Sequence, residues 1–174
     1  MAEKSLRYQT VLFDWGDTVM RDDPANTTPM VEWETVEAVE GIADVLNYLY
    51  SSGRSIVLAT SASISDEAQI RGALRRGGFD HFFSQIYCFK NTKLTKGEAF
   101  YRYILSDLNI PASDALMVGD SFEKDILVPT TLGIFAVWFN SRSDETHTGA
   151  RNVTVHSMAE LKEFFESLDA SPLH

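Results

Sequence analysis

Cys88 is the one cysteine in the 174 residues, so no internal disulfide can form, and a reducing compartment, the cytoplasm, is expected. No stretch approaches the roughly 20 apolar residues of a membrane-spanning helix. The opening Met-Ala-Glu-Lys-Ser-Leu-Arg lacks the apolar run of a signal peptide. Positive charge is scarce: 15 basic residues face 25 acidic ones, for a net charge of −10. That balance repels nucleic-acid backbones and anionic bilayers, so neither is expected as a partner. A phosphate ligand is still compatible with it, because a metal ion and a few placed cations reverse the potential locally. The four histidines, His81, His147, His156 and His174, show no metal-ligand spacing and read as surface or structural. Internal repeats and low-complexity stretches are absent.

What the chain does have is a core. Apolar residues make up 44% of it, enough for one globular domain over residues 1–174, with 170–174 a short tail. Apolar periodicity alternates between strand and helix. Short apolar runs at Thr10–Asp14, Ser55–Thr60, Gln85–Phe89, Ala115–Val118, Ile134–Phe139 and Val153–Val155 read as buried strands. A helical stripe runs over Val36–Ser52 and stops at Gly53; another covers Ser65–Arg76 before Gly77-Gly78. Thr95-Lys-Gly-Glu98 has the form of a capping box and opens a helix burying Phe100, Tyr103, Ile104 and Leu108. Ser157-Met-Ala-Glu160 is a second box, opening a last helix to about Leu168. Near-continuous apolar strands alternating with helices predict an α/β fold, a three-layer, doubly wound parallel sheet of Rossmann-like type. Such sheets bind ligands beyond the carboxyl ends of their strands. Asp14, Thr60, Lys96 and Asp120 all fall there. Two loops are polar: Arg21–Thr28, and the Ser141–Asn152 segment, which is expected to be mobile.

Four segments in order resemble the four motifs of the haloacid dehalogenase superfamily: Phe13-Asp-Trp-Gly-Asp-Thr18, Val57-Leu-Ala-Thr-Ser61, Lys96-Gly-Glu-Ala-Phe100 and Val118-Gly-Asp-Ser-Phe-Glu-Lys-Asp125. The resemblance implies a phosphatase-type hydrolase in which Asp14 attacks phosphorus and forms an aspartyl-phosphate. It implies Mg²⁺ held by Asp14, Asp120 and the Gly16 carbonyl, oxygen ligands that suit this ion. Thr60 and Ser61 would bind the phosphoryl oxygens, and Lys96 would supply positive charge to them and to Asp14. Lys93, in the same lysine-bearing loop, competes for that role. Asp125 and Ser121 would stand behind the metal site. The expected substrate is a phosphate ester or acyl phosphate, small or macromolecular.

Two departures from the pattern matter. Phosphatases of this superfamily carry a second aspartate two residues after the nucleophile, which protonates the leaving oxygen and then activates water. Here that position is Gly16, and the nearest aspartate is Asp17, which is placed to substitute only if the local turn brings it back. A slow phosphatase suited to good leaving groups, a hydrolase of the dehalogenase or phosphonatase branch, and a non-catalytic metal- and phosphate-binding domain all stay open. The second departure is size. The intervals Asp14–Thr60 and Thr60–Lys96 leave no room for an inserted cap domain, so residues 21–34 read as a small flap or contact surface, and an oligomer covering an open site is a further expectation.

Overall fold

The computed structural model describes residues 6–171, so the tail beyond Ser171 and the first five residues lie outside it. Six strands, β1 (Thr10–Phe13), β2 (Ser55–Ala59), β3 (Phe83–Tyr87), β4 (Ala115–Gly119), β5 (Phe135–Phe139) and β6 (Asn152–Val155), form one sheet. Its order is β3-β2-β1-β4-β5-β6, and every pairing is parallel. In the inner strands β1, β2 and β4, alternate residues bury on opposite faces. Val11, Phe13, Ile56, Leu58, Leu116 and Val118 pack against α1 (Ile42–Ser51), α2 (Glu67–Gly77) and α6 (Met158–Ala170). Leu12, Val57, Ala59 and Met117 pack against Phe100, Tyr101 and Ile104 of α4 (Glu98–Leu108). Two one-turn helices, α3 (Phe89–Thr92) and α5 (Val128–Thr131), complete the connections, the latter continuing a π-helical turn over Phe122–Leu127. This is the three-layer doubly wound fold.

Several boundaries move, for identifiable reasons. The helix expected from Val36 starts only at Ile42. Residues 37–39 are instead used in extended pairing, where Arg21 N–H donates to the Glu37 carbonyl (2.8 Å) and Val39 N–H to the Val19 carbonyl (2.9 Å). Gly41 then turns the chain at φ 81°, where a β-carbon would crowd Met158. The third strand lies two residues earlier than expected, and Phe89 opens α3. The Thr95 capping box does not form. Helix α4 has Gly97 as its N-cap with no side-chain bond, which leaves Lys96 on the extended approach before the helix. Tyr103 is 41% exposed rather than buried. The Ser157 box is nearly regular: Ser157 Oγ accepts from Glu160 N–H at 3.1 Å, while the Glu160 carboxylate accepts from His156 N–H, one residue early, at 2.7 Å.

Among the described residues no inserted domain interrupts β1–β2 or β2–β3, and no helix is long and apolar enough to cross a membrane.

Candidate active site

The strand order reverses between β1 and β4, so the crevice forms at the carboxyl ends of these two neighbours. Asp14 follows β1 directly, and its N–H continues the ladder by donating to the Val118 carbonyl at 2.9 Å. Asp120 follows β4, and Trp138 Nε1 of β5 donates to its carbonyl at 3.0 Å. Thr60 follows β2, anchored through its N–H on the Tyr87 carbonyl at 3.0 Å, with Oγ1 accepting from Ala62 N–H at 3.0 Å. Three adjacent strands thus hold three polar residues by their main chains, Asp14 and Thr60 through backbone bonds and Asp120 through the Trp138 indole.

Lys96 reaches into this group. Its side chain is 2% exposed, with Nζ 2.9 Å from Asp14 Oδ1 and 2.5 Å from Asp125 Oδ1. Burial works against the charged ammonium, yet the Asp14 and Asp125 carboxylates outweigh it and raise its pKa. Lys93, by contrast, is exposed and closes α3 in a left-handed turn. Asp125 is fully buried on the π-helical turn, and its Oδ2 accepts from Ser121 N–H at 3.0 Å. Ser121 Oγ caps that turn at Lys124 N–H, 3.4 Å away.

Carboxylate oxygens of Asp14, Asp120 and Asp125 lie within 4.8 Å of one another. Three carboxylates face the Lys96 ammonium, with the Arg142 guanidinium, shared with Asp17, 4.0 Å from Asp120, and negative charge remains in excess. Its effect is visible in Asp120, pushed up to about 7 by burial, by its hydrogen bond and charge repulsion with Asp14, and by the Asp125 and Asp17 charges. Asp125 is also raised, first by burial, with Lys96 opposing. A hard divalent cation among these oxygens would relieve that repulsion, so the donor set fits Mg²⁺.

Asp17 stands differently from these. It sits in a left-handed turn at φ 56°, with Oδ1 accepting from Asp22 N–H at 3.1 Å and Oδ2 paired with Arg142 Nη2 at 2.8 Å. Gly16 lies at the pocket floor, where a β-carbon would be 3.3 Å from Asp22 Cβ. Ser61 lies in the same pocket, a cavity of about 460 Å³ that extends from Asp14 beneath the flap to Pro24, Met30, Trp33 and Ile64. Trp15 lines it too, and its buried Nε1 has no hydrogen-bond partner among the described residues. Asp22 and Arg142 are the residues that sequence reasoning missed. Both lie in polar loops with no local pattern to distinguish them. The Ser141–Asn152 loop is tied rather than loose: Asn140 Nδ2 donates to Ser143 Oγ (2.8 Å) and to the Glu145 carbonyl (3.0 Å), and His147 N–H donates to Thr154 Oγ1 (2.8 Å).

Residues 22–139 match the family model described as haloacid dehalogenase-like hydrolase. The chain belongs to this family. The match begins after Asp14, so the nucleophile position rests on the motif and the geometry above. This hydrolase is 26% identical over 117 residues to the pyrimidine 5'-nucleotidase PynA of Streptococcus pneumoniae strain ATCC BAA-255 / R6, covering 66% of the chain. The matched stretch spans about half of that enzyme, 48% of its length. Among solved structures, a protein of Listeria monocytogenes serotype 4b superposes with a TM-score of 0.78 at 24% identity, covering 93% of this chain and 99% of the other. The HAD-hydrolase YfnB of Bacillus subtilis, bound to magnesium, gives 0.71 at 16% identity over 91% and 99%. These two likenesses show the shared fold.

Proposed function

We propose that this hydrolase is a Mg²⁺-dependent phosphatase that turns over a small phosphate monoester through an aspartyl-phosphate on Asp14. The observation that carries the reading is the Asp14 carboxylate at the pocket mouth, fixed by the β1–β4 ladder and by Lys96 at 2.9 Å. A carboxylate held this way has one oxygen on a cation and its other oxygen left for attack, and the attack geometry is set in advance. Lys96 lowers the cost of bringing an anionic phosphoryl group to an anionic nucleophile. Asp125 keeps Lys96 charged and aimed. The Thr60 and Ser61 hydroxyls and the Ser61 amide offer donors to the phosphoryl oxygens, while the Thr60 and Ala62 amides are already bonded within the fold. Asp14 and Asp120 would hold Mg²⁺, which supplies Lewis-acid charge neutralisation when bound.

The apolar wall of Trp15, Pro24, Met30, Trp33 and Ile64 suits a compact leaving group with a flat or apolar face. The relation to PynA makes nucleoside 5'-monophosphates the first class to try.

The test is a panel of 4-nitrophenyl phosphate, nucleoside monophosphates and acetyl phosphate, assayed with Mg²⁺ and with chelator. Turnover should require Mg²⁺, and Asp14→Asn should reduce it by at least about 10³-fold, as loss of a covalent nucleophile does. Halide release from a haloacid, without phosphate release from any ester, would move the protein to the dehalogenase branch. Binding of orthophosphate and Mg²⁺ with no turnover at all would make it a regulatory domain.

A further inference from the structure

The missing acid–base aspartate leaves a place at Gly16, and that place is filled. A β-carbon added to Gly16 would lie 3.3 Å from Asp22 Cβ and 3.4 Å from both its Cγ and Oδ2. The Asp22 carboxyl group, coming from the flap side, thus lies beside the point where a side chain at position 16 would begin. Asp22 lines the same pocket as Asp14, Thr60 and Lys96. Its Oδ1 accepts from Asp23 N–H at 2.9 Å, while Oδ2, the oxygen nearest Gly16, makes no hydrogen bond among the described residues.

Asp17 cannot offer the same. One of its oxygens is on Arg142 and the other receives Asp22 N–H, so it serves as the anchor that positions Asp22. The flap beyond is clamped as well. Arg76 of α2 donates to the carbonyls of Val31, Trp33 and Glu34 at 2.6–3.0 Å. Asp22 thus comes from a segment held at both ends.

We infer that Asp22 is the general acid and base of this enzyme, an assignment that rests on the phosphatase reading above. In the first step an Asp14 oxygen forms a bond to phosphorus as the phosphorus–leaving-oxygen bond breaks. The released electron pair stays on the leaving oxygen, which takes the Asp22 carboxyl proton and departs as the alcohol. In the second step the Asp22 carboxylate takes a proton from water as the water oxygen attacks phosphorus. The Asp14–phosphorus bond breaks, its pair returns to Asp14, and orthophosphate leaves with Asp22 again protonated.

Leaving-group dependence tests this on the full chain with Mg²⁺. The value of kcat/KM is measured for an alkyl phosphate, phenyl phosphate, 4-nitrophenyl phosphate and acetyl phosphate. Asp22→Asn should lose about 10²–10³-fold on the alkyl ester and under about tenfold on acetyl phosphate, whose leaving group needs no proton. The swap Gly16→Asp with Asp22→Gly, which returns the carboxylate to the floor and clears the space it needs, should recover most of the alkyl-ester activity. Asp17→Asn keeps an amide oxygen to accept the Asp22 N–H and so preserves that anchor, and it should show no such slope across the series. Equal losses of Asp22→Asn on all four esters, a slope in Asp17→Asn instead, or a well-folded swap variant without recovery would each overturn the assignment while Asp14-dependent turnover still upholds the phosphatase. A wild-type enzyme inactive on every ester, or an unimpaired Asp14→Asn, would bring down both.

Discussion

At the residue scale, Gly119 shows how little slack the site has. A β-carbon there would overlap the Asp125 carboxylate, the group that holds Lys96. Gly119→Ala is therefore expected to push Asp125 aside, misplace Lys96 and cut kcat about 10²-fold or more, as displacements of about 1 Å at a reacting centre do. Activity near wild type in this variant would mean that Asp125 does not set the Lys96 position. A second prediction concerns Asp120, whose folded-state pKa of about 7 lies above the ordinary carboxyl value. Between those values the folded chain binds more protons than the unfolded one, so without metal this group's contribution is lost as pH rises toward about 7. Mg²⁺ competes with those protons and should act in the opposite sense. At a concentration about 100-fold above its dissociation constant it should raise the thermal midpoint by about 5–10 °C at pH 7.5, and by clearly less at pH 5. Equal shifts at both pH values would contradict a metal bound by Asp120.

At the element scale, the flap is a short insertion held from outside. Val31 packs so close to Gly72 on α2 that a β-carbon there would strike it, and Arg76 on the same helix spans three flap carbonyls. Arg76→Ala should free residues 22–34 without unsettling the core. The expected result is a fall in kcat/KM of about tenfold, the worth of one or two exposed hydrogen bonds. Limited proteolysis should cut the flap faster while the global thermal midpoint barely moves. The flap itself was legible in the sequence as a Pro-containing interval too short for a cap. Its attachment was not, because Arg76 reads as one of several surface arginines until α2 is placed beside residues 31–34.

At the scale of the whole molecule, the last helix is locked to the opposite end of the sheet by a buried ion pair. Arg54, 4% exposed at the start of β2, meets Asp169 of α6 at 2.6 and 3.0 Å and also donates to the Tyr8 and Arg7 carbonyls. Tyr48 of α1 donates to the same carboxylate at 2.7 Å, and its phenol is pushed up to about 12 by burial and by Asp169. Asp169→Ala leaves a buried guanidinium with the Tyr8 and Arg7 carbonyls and the Ser52 hydroxyl as its hydrogen-bond partners. It should cost about 3 kcal/mol, the lower end for a broken buried pair because those carbonyls remain. Urea denaturation followed by tryptophan fluorescence reads this directly, and a loss under about 1 kcal/mol would show that α6 docks by its apolar face alone.

The amino-acid sequence by itself determined the layers and the chemistry at the strand ends. Short continuous apolar runs and period-3.6 stripes are local, and they predicted six strands with their helices. They also put Asp14, Thr60, Lys96 and Asp120 at the mouth of the sheet, because a strand end is a local event too. What required the tertiary structure was the pairing of residues distant in the chain. That Lys96 rather than Lys93 meets Asp14, and that Asp17 faces Arg142, follows from how loops fold back over the sheet, which no periodicity encodes. The start of α1 was misread for the same reason: an apolar stripe at Val36 and Val39 satisfies helix spacing, but pairing with residues 19–21 takes those backbone groups first. The glycine at position 16 could be read as a missing acid–base residue from the motif alone. Only the folded chain brings Asp22 to within 3.3 Å of where that side chain would begin, because the approach is made by a flap that packs against another helix.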